Sequence, residues 1–284
     1  MKTHFQRLRT ALGIALALAP GLVAPASAGE PSLAWTNNLL TWRDPRLPGG
    51  KVDVWYLEAF LRPGAHDREW GQTVIRHRTE LSSAAPNGSE LQFRTRVEPD
   101  LDVSHRVGVV DDGLQLEFTL TNRGTAPSPV QWFQPACIRV AGFTGADQEG
   151  YLGKSWVFTP TGLTLLKDLQ RTSEARYRGG QVFLPPWTAA VDANPRPIAG
   201  NSLTNGLIGC FSEDGRWILA TASDHTHELF EGVYVCLHSD PRIAGVPAGG
   251  SLRIRQKIYL LTNDVPALLK RYQQDFPARP DGTF

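Results

Sequence analysis

Apolar and polar positions along much of this chain alternate with the two-residue period of a half-buried strand. The clearest run is residues 114–121, where Leu114, Leu116, Phe118 and Leu120 face one way and Gln115, Glu117, Thr119 and Thr121 the other. Residues 103–110 precede it across Asp111-Asp112-Gly113. An Asp-Gly pair supplies the positive φ angles of a tight turn, so the spacing predicts a hairpin with one buried face. Residues 51–61 predict a buried strand, with Val52, Val54 and Tyr56 on one face and Trp55 and Leu57 on the other. Residues 73–79 and 91–97 predict two strands around the Pro86-Asn87-Gly88 turn, and the apolar run 130–140 follows. Further strands are expected at 156–158, 206–211, 216–222, 232–237 and 251–261.

Between these runs the pattern breaks. Residues 29–42 read as an irregular opening, 45–50 as a turn-rich segment and 63–71 as a polar loop. The middle, 142–180, is less regular, with room for a short helix within 163–176. Four prolines make 185–200 an extended loop headed by Trp187. Residues 223–231 are polar enough to read as another loop. The closing stretch 264–276 is the best helix, with Asp264 as N-cap, Pro266 in the first turn, and Leu268, Leu269, Tyr272 and Phe276 on one face. Many short strands, Gly/Pro turns and one terminal helix predict an all-β fold, a large β-sandwich with a C-terminal helix.

The first 28 residues have the composition of a secretory signal: Lys2, Arg7 and Arg9, an apolar core at 11–18, then Ala26-Ser27-Ala28. That core is too short to span a bilayer, so the expected product is one domain over 29–284, periplasmic or secreted and off the membrane after cleavage. Losing the three basic residues leaves 26 Lys and Arg against 28 acids. A near-neutral chain without basic blocks is a poor partner for nucleic acid, whose phosphates demand Lys and Arg. The cysteines, Cys137, Cys210 and Cys236, lie in apolar runs without a C-x-x-C pair and read as buried residues, with one disulfide left open. Oligomeric state is not legible.

The passage Ser104 to Val140, SHRVGVVDDGLQLEFTLTNRGTAPSPVQWFQPACIRV, resembles the central segment of galactose-mutarotase-like supersandwich proteins, with a strand, an Asp-Gly turn, a strand ending in T-x-T-N and then P-x-P-V. Pro247-Ala248-Gly249-Gly250-Ser251 before the last strand is similar as well. The resemblance covers about a quarter of the chain. It implies a supersandwich associated with carbohydrate. It also implies an acid/base histidine shortly after the P-V pair, where this chain has Gln131, Trp132, Phe133, Gln134 and Pro135.

Three chemistries remain open. In the first, a glycan-binding sandwich, loop indoles of Trp42, Trp70, Trp132 and Trp187 stack on sugar rings, with Arg43, Arg68 and Glu69 as a polar rim for an oligo- or polysaccharide. In the second, a carbohydrate-active enzyme (hydrolase, lyase or epimerase), His105 and His238 move protons with Glu228 or Asp240. His105 is in phase with Val103, Val107 and Val109, which suits a hydrogen-bonded core histidine equally well. The third places a divalent metal on His225, His227 and Glu228, since residues i and i+2 of an extended segment point the same way, with His238 or Asp240 as third ligand. No other cofactor is implied.

Overall fold

The computed structural model describes residues 29–64, 69–147, 149–178 and 180–277. The chain runs through β1 (Ser32–Thr36), β2 (Leu39–Arg43), β3 (Lys51–Leu61), β4 (Val74–Ile75), β5 (His77–Ala84) and β6 (Glu90–Val97). Next come β7 (Leu101–Val110), β8 (Gly113–Asn122), β9 (Trp132–Arg139), β10 (Ser155–Thr159), β11 (Gly162–Leu165) and β12 (Gln181–Phe183). The last strands are β13 (Ile208–Phe211), β14 (Trp217–Ser223), β15 (Thr226–Gly232), β16 (Cys236–Pro241) and β17 (Ser251–Thr262). Four helices interrupt them, α1 (Trp70–Thr73), α2 (Ala141–Thr144), α3 (Ser173–Arg178) and α4 (Val265–Asp275).

Two antiparallel sheets result. One has the order β1-β2-β3-β9-β16-β15-β12 with β4 paired to β3, and the other β11-β10-β13-β14-β17-β8-β7-β6-β5. Their inner faces share one apolar core, to which Val54, Tyr56, Phe133 and Leu237 contribute from the first sheet and Phe93, Val107, Phe118 and Ile258 from the second. The all-β sandwich expected from alternation is therefore the fold. On the outer face of the nine-stranded sheet, α4 lays Leu268, Tyr272 and Phe276 against Trp156, Ile218 and Tyr259. Its Asp264 side chain caps the helix by accepting from the Ala267 N–H at 3.0 Å. The buried Lys257 ammonium meets Asp112 at 2.8 Å and Asp275 at 2.9 Å, tying the β7–β8 turn and α4 to β17.

Several local expectations are corrected. Residues 29–42 form the β1–β2 hairpin, whose two-residue turn Asn37-Asn38 has positive φ at both positions, as a primed turn requires. In the β7–β8 hairpin the positive φ falls on Gly113 alone, where a Cβ would lie 1.9 Å from the Ile258 carbonyl oxygen of β17. Within 163–176 the start is strand β11, a 3-10 turn follows at Leu166–Asp168, and the expected short helix begins at Ser173. The polar stretch 223–231 is mostly the buried strand β15, while Gly232–Val235 forms the turn that leads into β16. The proline-rich stretch 185–200 is, as expected, an extended crossing with a single helical turn.

Strand β3 departs from alternation at one place. Tyr56 pairs with Ala136 and Ala59 with Gln134, so Leu57 and Glu58 together face Pro135 across a bulge. Leu57 takes a φ of 51° and joins the core, where alternation had placed it on the opposite face. Glu58, in phase with the core residues, is delivered outward instead.

Candidate functional site

The outer face of the eight-stranded sheet carries the polar cluster. Along β16, Leu237 enters the core, so Cys236, His238 and Asp240 share the other face. On β15, Glu228 pairs with Asp240 and Phe230 with His238. From β9 comes Gln134, and from the β3 bulge comes Glu58. Glu58, Gln134, Phe230, Cys236 and His238, together with Trp70, Asn194, Arg196 and Tyr234, line a cavity of about 520 Å³ that also reaches Cys137, while Glu228 and Asp240 stand beside its Asn194 and His238 without lining it themselves.

The crossing between β12 and β13 roofs part of this face and is strapped to β15. Trp187 Nε1 donates to the Thr226 carbonyl at 2.8 Å, and the Thr188 hydroxyl donates to the His227 carbonyl. His227 Nε2 donates to the Asp192 carbonyl at 2.7 Å, while the Asn194 N–H donates to Glu228 Oε2 at 2.7 Å. Arg196 lies over the Trp70 ring, 5.6 Å from its centroid.

Inside, His238 is the hub. Its Nε2 is 3.5 Å from Cys236 Sγ and 3.7 Å from Glu58 Oε2, and its Nδ1 is 3.6 Å from Asp240 Oδ1. Gln134 Nε2 donates to the second oxygen of Asp240 at 2.9 Å. Yet Glu58 Oε2, Glu228 Oε1, Asp240 Oδ1, Asn194 Oδ1 and His238 Nδ1 are buried with no hydrogen-bond partner. Buried polar atoms are nearly always paired, so the oxygens of Glu58 and Asn194, both on residues lining the hollow, mark a place that can receive a polar molecule. A larger depression of about 640 Å³ on the outer face of the other sheet, with Arg94, Arg96 and Arg123, has no such convergence of orphaned atoms.

Burial works against charge throughout. It raises the carboxyls of Glu58 and Asp240 and pushes Glu228 well above the carboxylate range, where the adjacent Asp240 adds to the effect. His238 is held well above its ordinary value, because the Asp240 carboxylate and the Cys236 sulfur outweigh the desolvation that would lower it. Cys236 is lowered, first by a hydrogen bond from Cys137 and then by His238, against its own burial. An imidazolium flanked by acid groups that resist ionisation can bind, hold or pass a proton.

The structure thus brings together His238, Glu228, Asp240 and Trp70 among the residues singled out from the sequence, and it separates the others. His105 faces the inter-sheet core on β7, where it is stacked on Phe93, 2.6 Å from the Tyr56 hydroxyl at Nδ1 and 2.9 Å from Thr95 Oγ1 at Nε2. It is a satisfied core histidine, and burial lowers it to about 3. Trp42 is also core, fully buried on β2. Trp132 is buried too, stacked on His227 with ring centroids 5.1 Å apart. Trp187 serves as a strap, and the exposed Arg43 and Glu69 are not among the cavity residues. Arg68 lies outside the described residues.

The metal set His225, His227 and Glu228 is not assembled. His225 sits at a turn with φ of 50°, and a bulge between Thr226 and Glu228 breaks the i, i+2 geometry on which the expectation relied. Glu58, Gln134, Asn194 and Arg196 are site residues that the sequence pattern concealed. Glu58 was hidden by its core phase, and the other three by lying in an apolar run or a proline-rich loop.

No protein-family model matches the chain, and no curated protein is similar to it. Among solved structures it is similar to an alpha-N-acetylgalactosaminidase from Bifidobacterium bifidum, at 12% identity and a TM-score of 0.49 over 86% of this chain. The chain spans 37% of the length of that enzyme. It is also similar to the Slr1438 protein from Synechocystis sp. PCC 6803, at 11% identity and a TM-score of 0.44, covering 86% of this chain and all of that one. A third likeness is to a protein from Escherichia coli K12 provisionally assigned as an aldose 1-epimerase, at 9% identity and a TM-score of 0.39, covering 82% of this chain and 99% of that one.

Proposed function

We propose that this chain is exported and binds carbohydrate, taking one ring of an oligo- or polysaccharide into the cavity on the outer face of the eight-stranded sheet. The observation that carries this reading is that Glu58 and Asn194, which line this cavity, each hold a buried acceptor oxygen with no hydrogen bond to it, among the aromatic residues of its wall. Sugar hydroxyls are donors for such acceptors, and leaving them unpaired is costly. Trp70, Phe230 and Tyr234 in the wall offer faces for the C–H side of a pyranose. A hollow of about 520 Å³ falls within the range of small-ligand sites.

The test is titration of the exported chain, expected to begin at Gly29, with a panel of neutral and acidic oligosaccharides, followed by intrinsic tryptophan fluorescence. Trp70→Ala should weaken binding by about 10- to 100-fold, the usual effect of removing an aromatic anchor. Silence across the whole panel would sink the proposal.

A second reading, proton transfer on the bound sugar in a hydrolase, lyase or epimerase, is favoured by Glu58. Its carboxyl is raised by burial, opens on the cavity and lies beside His238. Under that reading Glu58→Gln keeps binding and loses product formation. Product formation that survives in Glu58→Gln rules it out.

A further inference from the structure

The floor of the same cavity holds an arrangement for which a sugar has no use. Cys137, Cys236 and His238 are all buried, and two sulfurs and an imidazole nitrogen lie within 4.8 Å of one another. Register produces this. Cys236 pairs with Arg139 and Leu237 with Ile138, so the next position along β9 sets Cys137 beside His238, while Cys236 precedes His238 by two on the same face. Among the described residues this is the one group of three such ligand atoms.

The spacing fits a tetrahedral centre. With metal–sulfur bonds of about 2.3 Å and metal–nitrogen bonds of about 2.0–2.1 Å, adjacent sulfur and nitrogen donors stand about 3.5 Å apart. Cys236 Sγ and His238 Nε2 are 3.5 Å apart. Glu58 Oε2 lies 3.7 Å from the same nitrogen but outside the trio, so the fourth position is left to a solvent molecule. The outer shell is present as well. His238 Nδ1 faces Asp240 Oδ1 at 3.6 Å, and Gln134 fixes the other oxygen of that carboxylate at 2.9 Å. A carboxylate behind a ligating imidazole is the usual device for orienting it.

We propose that Cys137, Cys236 and His238 bind one zinc-like divalent cation. Two sulfurs and an imidazole select a borderline-soft metal over calcium or magnesium, which take oxygen donors. The inference does not rest on the sugar reading and stands whether or not a sugar binds above the metal. It competes with proton transfer, since both use the same nitrogen of His238.

The experiment is titration of the reduced, full-length exported chain with Co²⁺ and then Zn²⁺ in the absence of sugar, read by absorbance and by metal content. One cobalt per chain is expected, with a thiolate-to-cobalt charge-transfer band and d–d bands of tetrahedral intensity, all displaced by zinc. Removing an outer-shell partner of a metal site weakens it by about 10–100-fold. Loss of a direct sulfur ligand in Cys137→Ser should therefore weaken zinc by more than about 100-fold. Cys210→Ala, at the third cysteine in the core, should leave affinity and spectrum unchanged.

Circular dichroism checks that each variant is folded. Should Cys137→Ser fail that check, Cys236→Ser carries the test through a weakened affinity and an altered cobalt spectrum. Absence of stoichiometric metal with both thiols reduced overturns the proposal. So does a Cys137–Cys236 disulfide in protein taken from the export compartment, or full zinc affinity in a folded Cys137→Ser. Failure here with sugar binding intact would leave the carbohydrate reading untouched.

Discussion

Three buried histidines in this protein meet three different fates, set by what lies within a few ångströms of each ring. His105 finds only neutral hydroxyls and aromatic faces, so burial keeps it uncharged. His227, bonded to a backbone carbonyl and near Arg242, is lowered to about 4, chiefly by burial. His238 alone has a carboxylate and a sulfur beside it, and it alone is raised. Removing His105 should therefore be a matter of stability. His105→Ala strands the Tyr56 hydroxyl, leaves Thr95 with Thr79 alone and opens a cavity, so chemical denaturation should show a loss of about 2–4 kcal/mol. The folded fraction should bind ligand as before.

A second residue-scale expectation concerns Glu231, which hydrogen-bonds Tyr151 and pairs with Arg171 behind β15. Burial outweighs both partners and raises its carboxyl to about 7 from 4.5. The folded state thus holds a proton that the unfolded state has released. The stability this contributes is full below pH 4.5, declines as pH rises towards 7, and amounts to about 3 kcal/mol across that window. Melting temperature followed from pH 4.5 to 7 should fall less steeply in Glu231→Gln than in the native chain.

At the scale of elements, strands whose alternation served only the core were legible. β6, β7, β8 and β17 lie where their periodicity put them, because each has an apolar face and a polar face with no other duty, and β3 does so up to its bulge at Leu57 and Glu58. β15 was misread as a loop, since His227, Glu228 and Glu231 are polar and polar runs normally stay wet. They are buried here because the strapping crossing, Asn194, Tyr151 and Arg171 satisfy several of their polar atoms. A functional strand breaks the pattern that a structural strand obeys. Half of the candidate site was visible through His238, Glu228, Asp240 and Trp70. The rest was not, because convergence of β3, β9 and β16 is a matter of sheet order, which periodicity does not encode.

The Asp-Gly turn was read correctly in place, though the reason for its glycine is the neighbouring strand. With the Ile258 carbonyl 1.9 Å from a built Cβ, Gly113→Ala must push β17 away from β8. A destabilisation of more than about 2 kcal/mol is expected in urea denaturation, well beyond the usual helix or strand propensity difference.

Across the whole molecule the two outer faces are treated differently. One is sealed by α4, a regular element packed on Trp156 and Tyr259, and the other is roofed by an irregular crossing above polar groups. Lys257 is the bolt of the sealed side, its ammonium buried between Asp112 and Asp275. Lys257→Ala leaves Asp112 and Asp275 to Arg271, which pairs with both at 2.7 and 3.2 Å, and the loss in global stability should reach about 1–3 kcal/mol by calorimetry or denaturant. The cavity face should be unaffected, so ligand affinity measured below the melting transition serves as the check.

The doubled step at Leu57 and Glu58 governs how this protein can change length. Deleting either residue would bring β3 back into stride with β9 and rotate everything beyond that point by half a turn. Phe60, now stacked on Phe133, would land among the water-facing groups, and Leu61 would leave Trp132 for the interior. The acid that opens on the hollow thus exists by virtue of one surplus residue. Around it, exchanges of one amino acid for another are tolerable, whereas a single excision is not.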